Sequence, residues 1–189
     1  MNTFILPDPE NSPQPVDIFT QLAHDRILFI SDMDDQEAAE LVATIVLKDI
    51  ESETKKITLT INSTGMSIRN IFMIYDVMKM IKAPIETVCV GDAWHGMVLL
   101  LAAGTKGMRY ATKSATICPS QLTQDTYFET NIKGVKHSME RIQRDNKNFI
   151  AALAKETGHK VKNVMSEFER QKYLTSTQAL EYGIVDAII

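Results

Sequence analysis

The residues best suited to carry out chemistry lie in the segment Gly91–Gly107. A polar turn that contains His95 separates the apolar stretch before Gly91 from a second apolar stretch after the turn. The first stretch, Ile85–Val90, predicts a strand, and the second, which runs through Ala103, predicts a helix. A sharp turn from a strand into a helix exposes one side chain and directs backbone N–H groups at its surroundings. This geometry suits a nucleophile or a site for a developing negative charge, so His95 is the first candidate residue.

Strands and helices are expected to alternate around this turn. Asp34 or Asp35 is expected to cap a helix whose apolar residues recur at 3.6-residue spacing, and glycines at 91, 104 and 107 predict turns. The alternation predicts an α/β fold with a mainly parallel sheet. The predicted strands are Ile27–Ile30, Ile57–Ile61, Ile85–Val90, Met108–Tyr110 and Ala115–Cys118.

The length and the charge of the chain limit its function classes. A chain of 189 residues suits one domain around a single core, and a net charge of −4 with mixed signs gives no basic surface for nucleic acid. The longest apolar run, Gly96–Gly104, is well below the ~20 residues of a membrane span. Nucleic-acid and membrane partners are therefore not expected.

The cysteines and the N-terminal residues indicate compartment and domain boundaries. Cys89 and Cys118 have neither zinc-ligand spacing nor a disulfide framework, which indicates a reducing, cytoplasmic compartment and no metal or other cofactor. An organelle such as a plastid stays open if a transit peptide has been removed. Residues 1–15 contain four prolines and are expected to be mobile or extended, which places a single domain at 16–189.

Four further segments have a distinctive sequence and order. They read Asp25-Arg-Ile-Leu-Phe-Ile30, Ile61-Asn-Ser-Thr-Gly-Met-Ser67, Ile74-Tyr-Asp-Val-Met78 and Tyr173-Leu-Thr-Ser-Thr-Gln-Ala-Leu-Glu-Tyr-Gly-Ile-Val-Asp186. Together with the turn at His95, they resemble the ClpP family, which forms the proteolytic chamber of Clp proteases. The resemblance implies the spiral of ββα units that this family shares with crotonases, and a long protruding handle helix. It divides the chain into a head, 16–121 and 158–189, and a handle, 122–157.

The resemblance also locates the family's catalytic residues. His95 stands where the family has its nucleophilic serine, Pro119 where it has its histidine, and Gln171 where it has its aspartate. A serine nucleophile needs a base and an orienting carboxylate. The resemblance therefore implies a pseudo-protease of the ClpR type, with no catalytic residues. The oxyanion site would survive only as a remnant at Gly65 and Gly96.

Other chemistry at His95 is weighed against this interpretation. Ser120, beside Pro119, could form a swapped pair with His95, but no third orienting group is evident and an ordinary loop serine is favoured. His95, Asp92 and Cys118 could in principle bind a metal, yet they have no ligand-spacing signature. A tolerated side chain at a relic position is the preferred interpretation of His95.

Assembly is predicted from the handle. Apolar residues at helical spacing predict a helix at 129–157 that spans about 42 Å, longer than one domain of this size needs. The resemblance implies that such helices join two stacked heptameric rings into a tetradecamer. It also implies that Glu169 and Arg170 bridge the rings, and that Leu122–Phe128 replaces a glycine-rich strand next to the substrate groove.

The family's docking cleft for an ATP-driven unfoldase is expected to be degenerate. Thr60 and Met80 stand where the family has a tyrosine and a phenylalanine, so two aromatic anchors are lost. An unfoldase of the AAA+ class would then dock through neighbouring subunits. This expectation again points to a partner paralogue.

The expected function is a catalytically inactive ClpP-like subunit that builds or modulates a ring-shaped Clp protease core with active paralogues. One alternative is an unorthodox hydrolase that uses His95. Another is a crotonase-like protein that binds acyl thioesters at the Gly65/Gly96 anion hole. A homomeric ring that acts as a binding chamber is a third possibility.

Overall fold

The computed structural model describes residues 3–5, 15–120, 132–168 and 172–189. Within these ranges it is an α/β protein built on one large sheet. The strands are β1 Thr3–Ile5, β2 Pro15–Asp17, β3 Ile27–Ile30, β4 Ile57–Ser63, β5 Ile85–Trp94, β6 Arg109–Ala111, β7 Thr116–Cys118, β8 Leu174–Thr175 and β9 Ala187–Ile188. The helices are α1 Ile18–His24, α2 Asp35–Glu51, α3 Ile68–Met80, α4 Met97–Ala102, α5 Ile132–Thr157, α6 Val161–Phe168 and α7 Ser176–Glu181.

The main sheet has the strand order β3-β4-β5-β6-β9, and all neighbours along this path are parallel. Strand β7 also pairs with β5 in parallel, and β8 pairs antiparallel with β7. Parallel neighbours require crossover connections, which helices α2, α3 and α4 provide. The predicted α/β class with a mainly parallel sheet is confirmed.

The start of the chain contributes a small separate ribbon. Strand β1 pairs antiparallel with β2, so Thr3–Ile5 is extended. The other residues of the segment expected to be mobile or extended, apart from Pro15 in β2, lie outside the described ranges. Across the described ranges, no helix combines the length and the apolar composition needed to cross a bilayer.

Strand β5 is longer than predicted because it passes through Gly91 without turning. Ile61 pairs with Cys89, whereas Ser63 pairs with Ala93, so β5 contains extra residues opposite β4 in an irregular, bulge-like step. Gly91 lies in this step with φ +95°, a conformation that favours glycine. The predicted turn at Gly91 is therefore wrong: the chain turns four residues later, at His95.

The helices begin where their polar residues can satisfy free backbone N–H groups. The Asp34 carboxylate accepts hydrogen bonds from the N–H groups of Gln36 and Glu37, and the Glu37 side chain accepts one from the Asp34 N–H. This reciprocal capping box starts α2 and selects Asp34 over Asp35 as the cap. Every residue of α4 is buried, so the helix that follows the His95 turn lies in the centre of the core.

A polar network connects the helices with the far end of the sheet. Buried Arg109 in β6 donates from Nε to an Asp186 carboxylate oxygen at 2.8 Å and from Nη1 to the Gly183 carbonyl at 2.9 Å. The Tyr75 hydroxyl donates to Glu156 in the last turn of α5 at 2.8 Å, and burial together with this bond raises the pKa of Tyr75. These contacts fix the C-terminal end of α5 against the head.

Candidate active site

Three segments meet where parallel strands of the sheet end. They are the loop after β4, the turn between β5 and α4, and the residues that follow β7. Because β5 lies between β4 and β7 in parallel, Ala93 pairs with both Ser63 and Ile117, and Trp94 pairs with Cys118. The carboxyl ends of parallel strands form the usual position of a ligand site in open α/β sheets.

His95 occupies the tip of the middle segment in a strained conformation. Its φ of +52° is in the left-handed region, which costs a residue with a side chain about 1–3 kcal/mol and is enriched at functional positions. The His95 N–H donates to the Cys118 carbonyl at 3.0 Å, which extends the pairing of β5 and β7 by one residue. This bond holds the His95 side chain beside the residues after β7.

The structure brings His95 and Ser120 into direct contact. The Ser120 Oγ lies 2.6 Å from the His95 Nδ1, which is hydrogen-bond distance. Ser120 is completely buried, at 0% exposure, and His95 is half-buried. The sequence-based preference for an ordinary loop serine does not account for this contact, because the pairing depends on the register of β5 and β7.

The two glycines predicted to remain from an oxyanion site have different environments. Gly65, with φ +143°, lies against the His95 ring, since a Cβ there would be 3.5 Å from His95 Cδ2. Its N–H donates to the Ser63 Oγ at 3.1 Å and is therefore engaged within its own loop. Gly96 packs against Ile71, whose Cγ1 would be only 2.6 Å from an added Cβ. An anion site at these glycines stays a prediction.

The loop that contains Gly65 is shaped by one carboxylate. Asp32 accepts hydrogen bonds from the Ser63 hydroxyl at 2.7 Å and from the Thr64 N–H at 3.0 Å. The Ser63 hydroxyl is thus committed to Asp32. This commitment leaves Ser120 as the serine whose hydroxyl meets the histidine.

The cysteines near the site are poor nucleophiles. Burial raises the pKa of the Cys89 thiol to about 12. Burial also raises the pKa of Cys118, an effect that a hydrogen bond with Ser120 partly offsets. Since the thiolate is the reactive form, both residues stay as unreactive thiols near neutral pH.

Within the ranges that the structure describes, no group of three His, Cys, Asp or Glu residues could hold a metal ion, so His95, Asp92 and Cys118 form no such site.

Aromatic residues cover one side of the turn. Trp94 packs edge-on against Tyr173, with ring centroids 5.5 Å apart, and its Nε1 donates to Asp92 at 3.2 Å. The Asp92 N–H donates to the Asn62 side chain at 3.1 Å. No sequence pattern predicts the Trp94–Tyr173 contact, because the two residues lie far apart in the chain.

The other predicted site residues lie partly in the described structure and partly outside it. Pro119 is buried between Cys118 and Ser120. Thr60 lies in β4 and is half-buried, and Met80 ends α3 with 69% of its surface exposed. Gln171, Glu169, Arg170 and the Leu122–Phe128 segment lie outside the described residues.

The mainly parallel sheet, with a histidine at a strand–helix turn, places the chain among α/β proteins whose site lies at the carboxyl ends of the strands. Sequence comparison identifies the family. The Clp protease family model matches residues 10–189. The ATP-dependent Clp protease proteolytic subunit 1 of Thermobifida fusca (strain YX) is 37% identical over 174 residues, which cover 90% of this chain and 77% of the relative. The subunit of the same name from Cutibacterium acnes is 34% identical over 179 residues, covering 92% of this chain and 81% of the relative. The chain belongs to the Clp protease family.

These relatives correct one prediction. They are named proteolytic subunits, which indicates a protease, and the prediction of a pseudo-protease is therefore wrong. The prediction assumed that replacement of the serine, histidine and aspartate at their aligned positions removes all nucleophilic chemistry. That inference fails in physical terms, because a serine–histidine pair is recognised by geometry and not by sequence position.

Proposed function

We propose that this chain is a proteolytic-core subunit of an ATP-dependent Clp protease and assembles into heptameric rings with paralogous subunits. The observation that supports this function is the match of the Clp protease family model to residues 10–189, together with relatives named as proteolytic subunits of that protease. The same match argues against a crotonase-like binder of acyl thioesters.

Helix α5 supports the assembly part of the proposal. Its C-terminal part is anchored in the core: Phe149 and Leu153 are fully buried, and Glu156 joins the network with Tyr75. At 26 residues the helix is about 39 Å long, so its first half lies well to the N-terminal side of these anchors. This half can be stabilised by contacts with another subunit.

The first half of α5 has an apolar face. Val135 and Ile142 are half-buried, and Met139 has 53% of its surface exposed. Spacings of four and three residues place the three side chains on one side of the helix. Charged residues, including Lys136 and Glu140, occupy neighbouring positions. An amphipathic helix with this pattern fits a second, similar helix, as in two rings joined through their handles.

The expected ring-to-ring pair, Glu169 and Arg170, and the expected docking positions, Thr60 and Met80, belong to the proposal as well. Met80 offers an exposed apolar side chain, whereas Thr60 offers little apolar area for a docked loop. We infer that an AAA+ unfoldase docks mainly through the paralogous subunits of the ring.

Native mass spectrometry tests the assembly. The full chain is measured alone and after co-expression with each paralogue from the same genome. We expect rings or double rings that contain this chain. A homomeric ring alone would support the binding-chamber alternative, and a monomer that no paralogue captures at micromolar concentration would overturn the proposal.

A further inference from the structure

We propose that Ser120 is the nucleophile and His95 the general base of a swapped serine–histidine dyad that cleaves peptide bonds. The proposal rests on the proposed function as a proteolytic subunit. Compared with the positions that the resemblance implies for the family's serine and histidine, the two residue types are exchanged. The histidine occupies the strand–helix turn, and the serine follows the neighbouring strand.

The pairing of strands β5 and β7 positions the dyad. Strands β5 and β7 run in parallel with Trp94 opposite Cys118, and the His95 N–H is bonded to the Cys118 carbonyl. Two residues beyond that carbonyl, the Ser120 hydroxyl meets the His95 ring at 2.6 Å. The left-handed φ of His95 turns its side chain toward this hydroxyl at a cost in backbone strain, as functional residues at such turns often do.

The contact through Nδ1 defines the protonation that the dyad needs. To accept the Ser120 proton, Nδ1 must be unprotonated, and the neutral ring then has its proton on Nε2. Ser120 is buried, which strengthens the hydrogen bond by excluding water. His95 is half-buried and Ser120 is fully buried, so a bound peptide must displace the groups that cover the Ser120 hydroxyl before this hydroxyl can attack.

The reaction then has two balanced steps. Ser120 Oγ bonds to the carbonyl carbon of a peptide bond while its proton passes to His95 Nδ1. The C–N bond breaks, and His95 returns the proton to the leaving amine, which leaves an ester on Ser120. Water then attacks this ester and gives one proton to His95. The bond from the carbonyl carbon to Oγ breaks, and Ser120 takes that proton back.

Among the neighbouring residues that the structure describes, no other group offers an equal nucleophile. Ser63 donates its hydroxyl to Asp32, and the thiols of Cys89 and Cys118 are held protonated by burial. Pro119 has no group that could act as a base. Ser120 has a base in direct contact, which is one requirement for an activated serine.

The test labels the full chain with a small fluorophosphonate and maps the modified residue by peptide mass spectrometry. The chain is used alone and in the ring with a paralogue whose own catalytic serine has been replaced. We expect label on Ser120, together with hydrolysis of short fluorogenic peptides. Ser120→Ala should lower this hydrolysis by about 10³-fold or more, and His95→Gln by about 10²–10⁴-fold.

Two variants separate catalysis from structure. Ser176 is another buried serine, whose hydroxyl donates to the Thr112 carbonyl at 2.6 Å, and Ser176→Ala should keep the label. Ser120→Cys keeps a nucleophile beside His95 and should be acylated by a peptide ester, whereas Ser120→Ala should not. Circular dichroism and native mass confirm that each variant folds and assembles.

The outcomes distinguish this proposal from the proposed function. Intact mixed rings without label or acylation at Ser120 would overturn the dyad and leave the assembly role in place. Label on Cys118, or on another serine of this chain, would also overturn the dyad. Label on Ser120 in a chain that forms no ring would support the dyad and overturn the assembly role.

Discussion

At the scale of single residues, the site depends on backbone conformations that the sequence alone does not reveal. His95, directly after Trp94, has φ +52°, and Gly91, three residues before Trp94, has φ +95°. A histidine in the left-handed region is uncommon, whereas a glycine there is ordinary, so the strain at His95 is the more informative of the two. It sets the direction of the side chain that meets Ser120.

Restoring a serine at the turn tests this arrangement. His95→Ser places a hydroxyl where the resemblance to the family implies a nucleophilic serine, but it also removes the ring that contacts Ser120. Because Pro119 cannot act as a base, we expect peptide hydrolysis to fall and not to rise. Fluorogenic peptide assays measure the change. A robust gain in activity would show that another base serves position 95.

Substitution of Gly91 by alanine gives a second test at the scale of single residues. A Cβ there would be 2.6 Å from the Asn62 Oδ1, whereas Gly107, with φ +86°, has nothing within 4 Å of an added Cβ. Gly107→Ala should cost about 1–2 kcal/mol from conformation alone, and Gly91→Ala a further 1–3 kcal/mol or so from crowding. Urea unfolding gives both free energies. Equal values would mean that Asn62 moves away without cost.

At the scale of elements, the strands and helices were largely predictable. The strand Ile27–Ile30 has the predicted bounds, and Asp34 caps α2 as one of two predicted caps. Periodicity and capping residues act locally, so a single sequence contains these signals. The extension of β5 to Trp94 was missed because the irregular step at Gly91 depends on its pairing with β4.

The candidate site was predictable only in part, for the same reason. His95 and Ser120 were both identified from the sequence, and so was their possible pairing. Their 2.6 Å contact, however, follows from the register of two strands separated by 21 residues of chain, from Trp94 to Thr116. Register is a property of tertiary pairing, and the hydrophobic pattern of the short strand β7 is too brief to set it.

The ion pair between Arg109 in β6 and Asp186, the residue before β9, gives a prediction at the scale of elements. Hydrogen bonds from Arg109 hold the pKa of Asp186 below its usual range, an effect larger than the opposing one of burial. Asp186→Asn leaves the buried Arg109 charge without its carboxylate, so we expect a loss of about 3 kcal/mol, the lower end for a buried pair because Asp186 is 22% exposed.

The pH dependence of this pair has a defined sign. A carboxyl group whose folded pKa is depressed contributes stability above its unfolded pKa, about 3.9, and loses it as the pH falls through the folded pKa. The Asp186→Asn variant should therefore lose less stability than the parent chain below about pH 4. Urea unfolding across pH measures this. The exposed pair Lys82–Glu53 is the control: Glu53→Gln should leave the unfolding midpoint unchanged.

At the scale of the whole molecule, the length and the apolar face of α5 suit a subunit of a larger assembly. The buried apolar side chains Phe149, Leu153 and Ala154 lie near its C-terminal end, where they meet the core. An isolated helix gains little from its own propensity in water and depends on packing of its apolar face. The apolar face of the first half would gain that packing from the handle of another subunit.

Substitutions on two faces of α5 test this dependence in the assembled protein. Met139→Asp introduces a charge into the apolar face of the first half of α5, and Asn148→Asp introduces the same charge nine residues later, on the opposite face. Burying an unpaired carboxylate in a subunit contact is costly, so Met139→Asp should convert double rings into single rings or smaller species. Asn148→Asp should assemble as the parent chain does. Native mass spectrometry at micromolar concentration gives the distribution of species, and the far-ultraviolet circular dichroism of both variants should match that of the parent chain. Equal assembly of the two variants would show that the apolar face of α5 makes no contact between subunits.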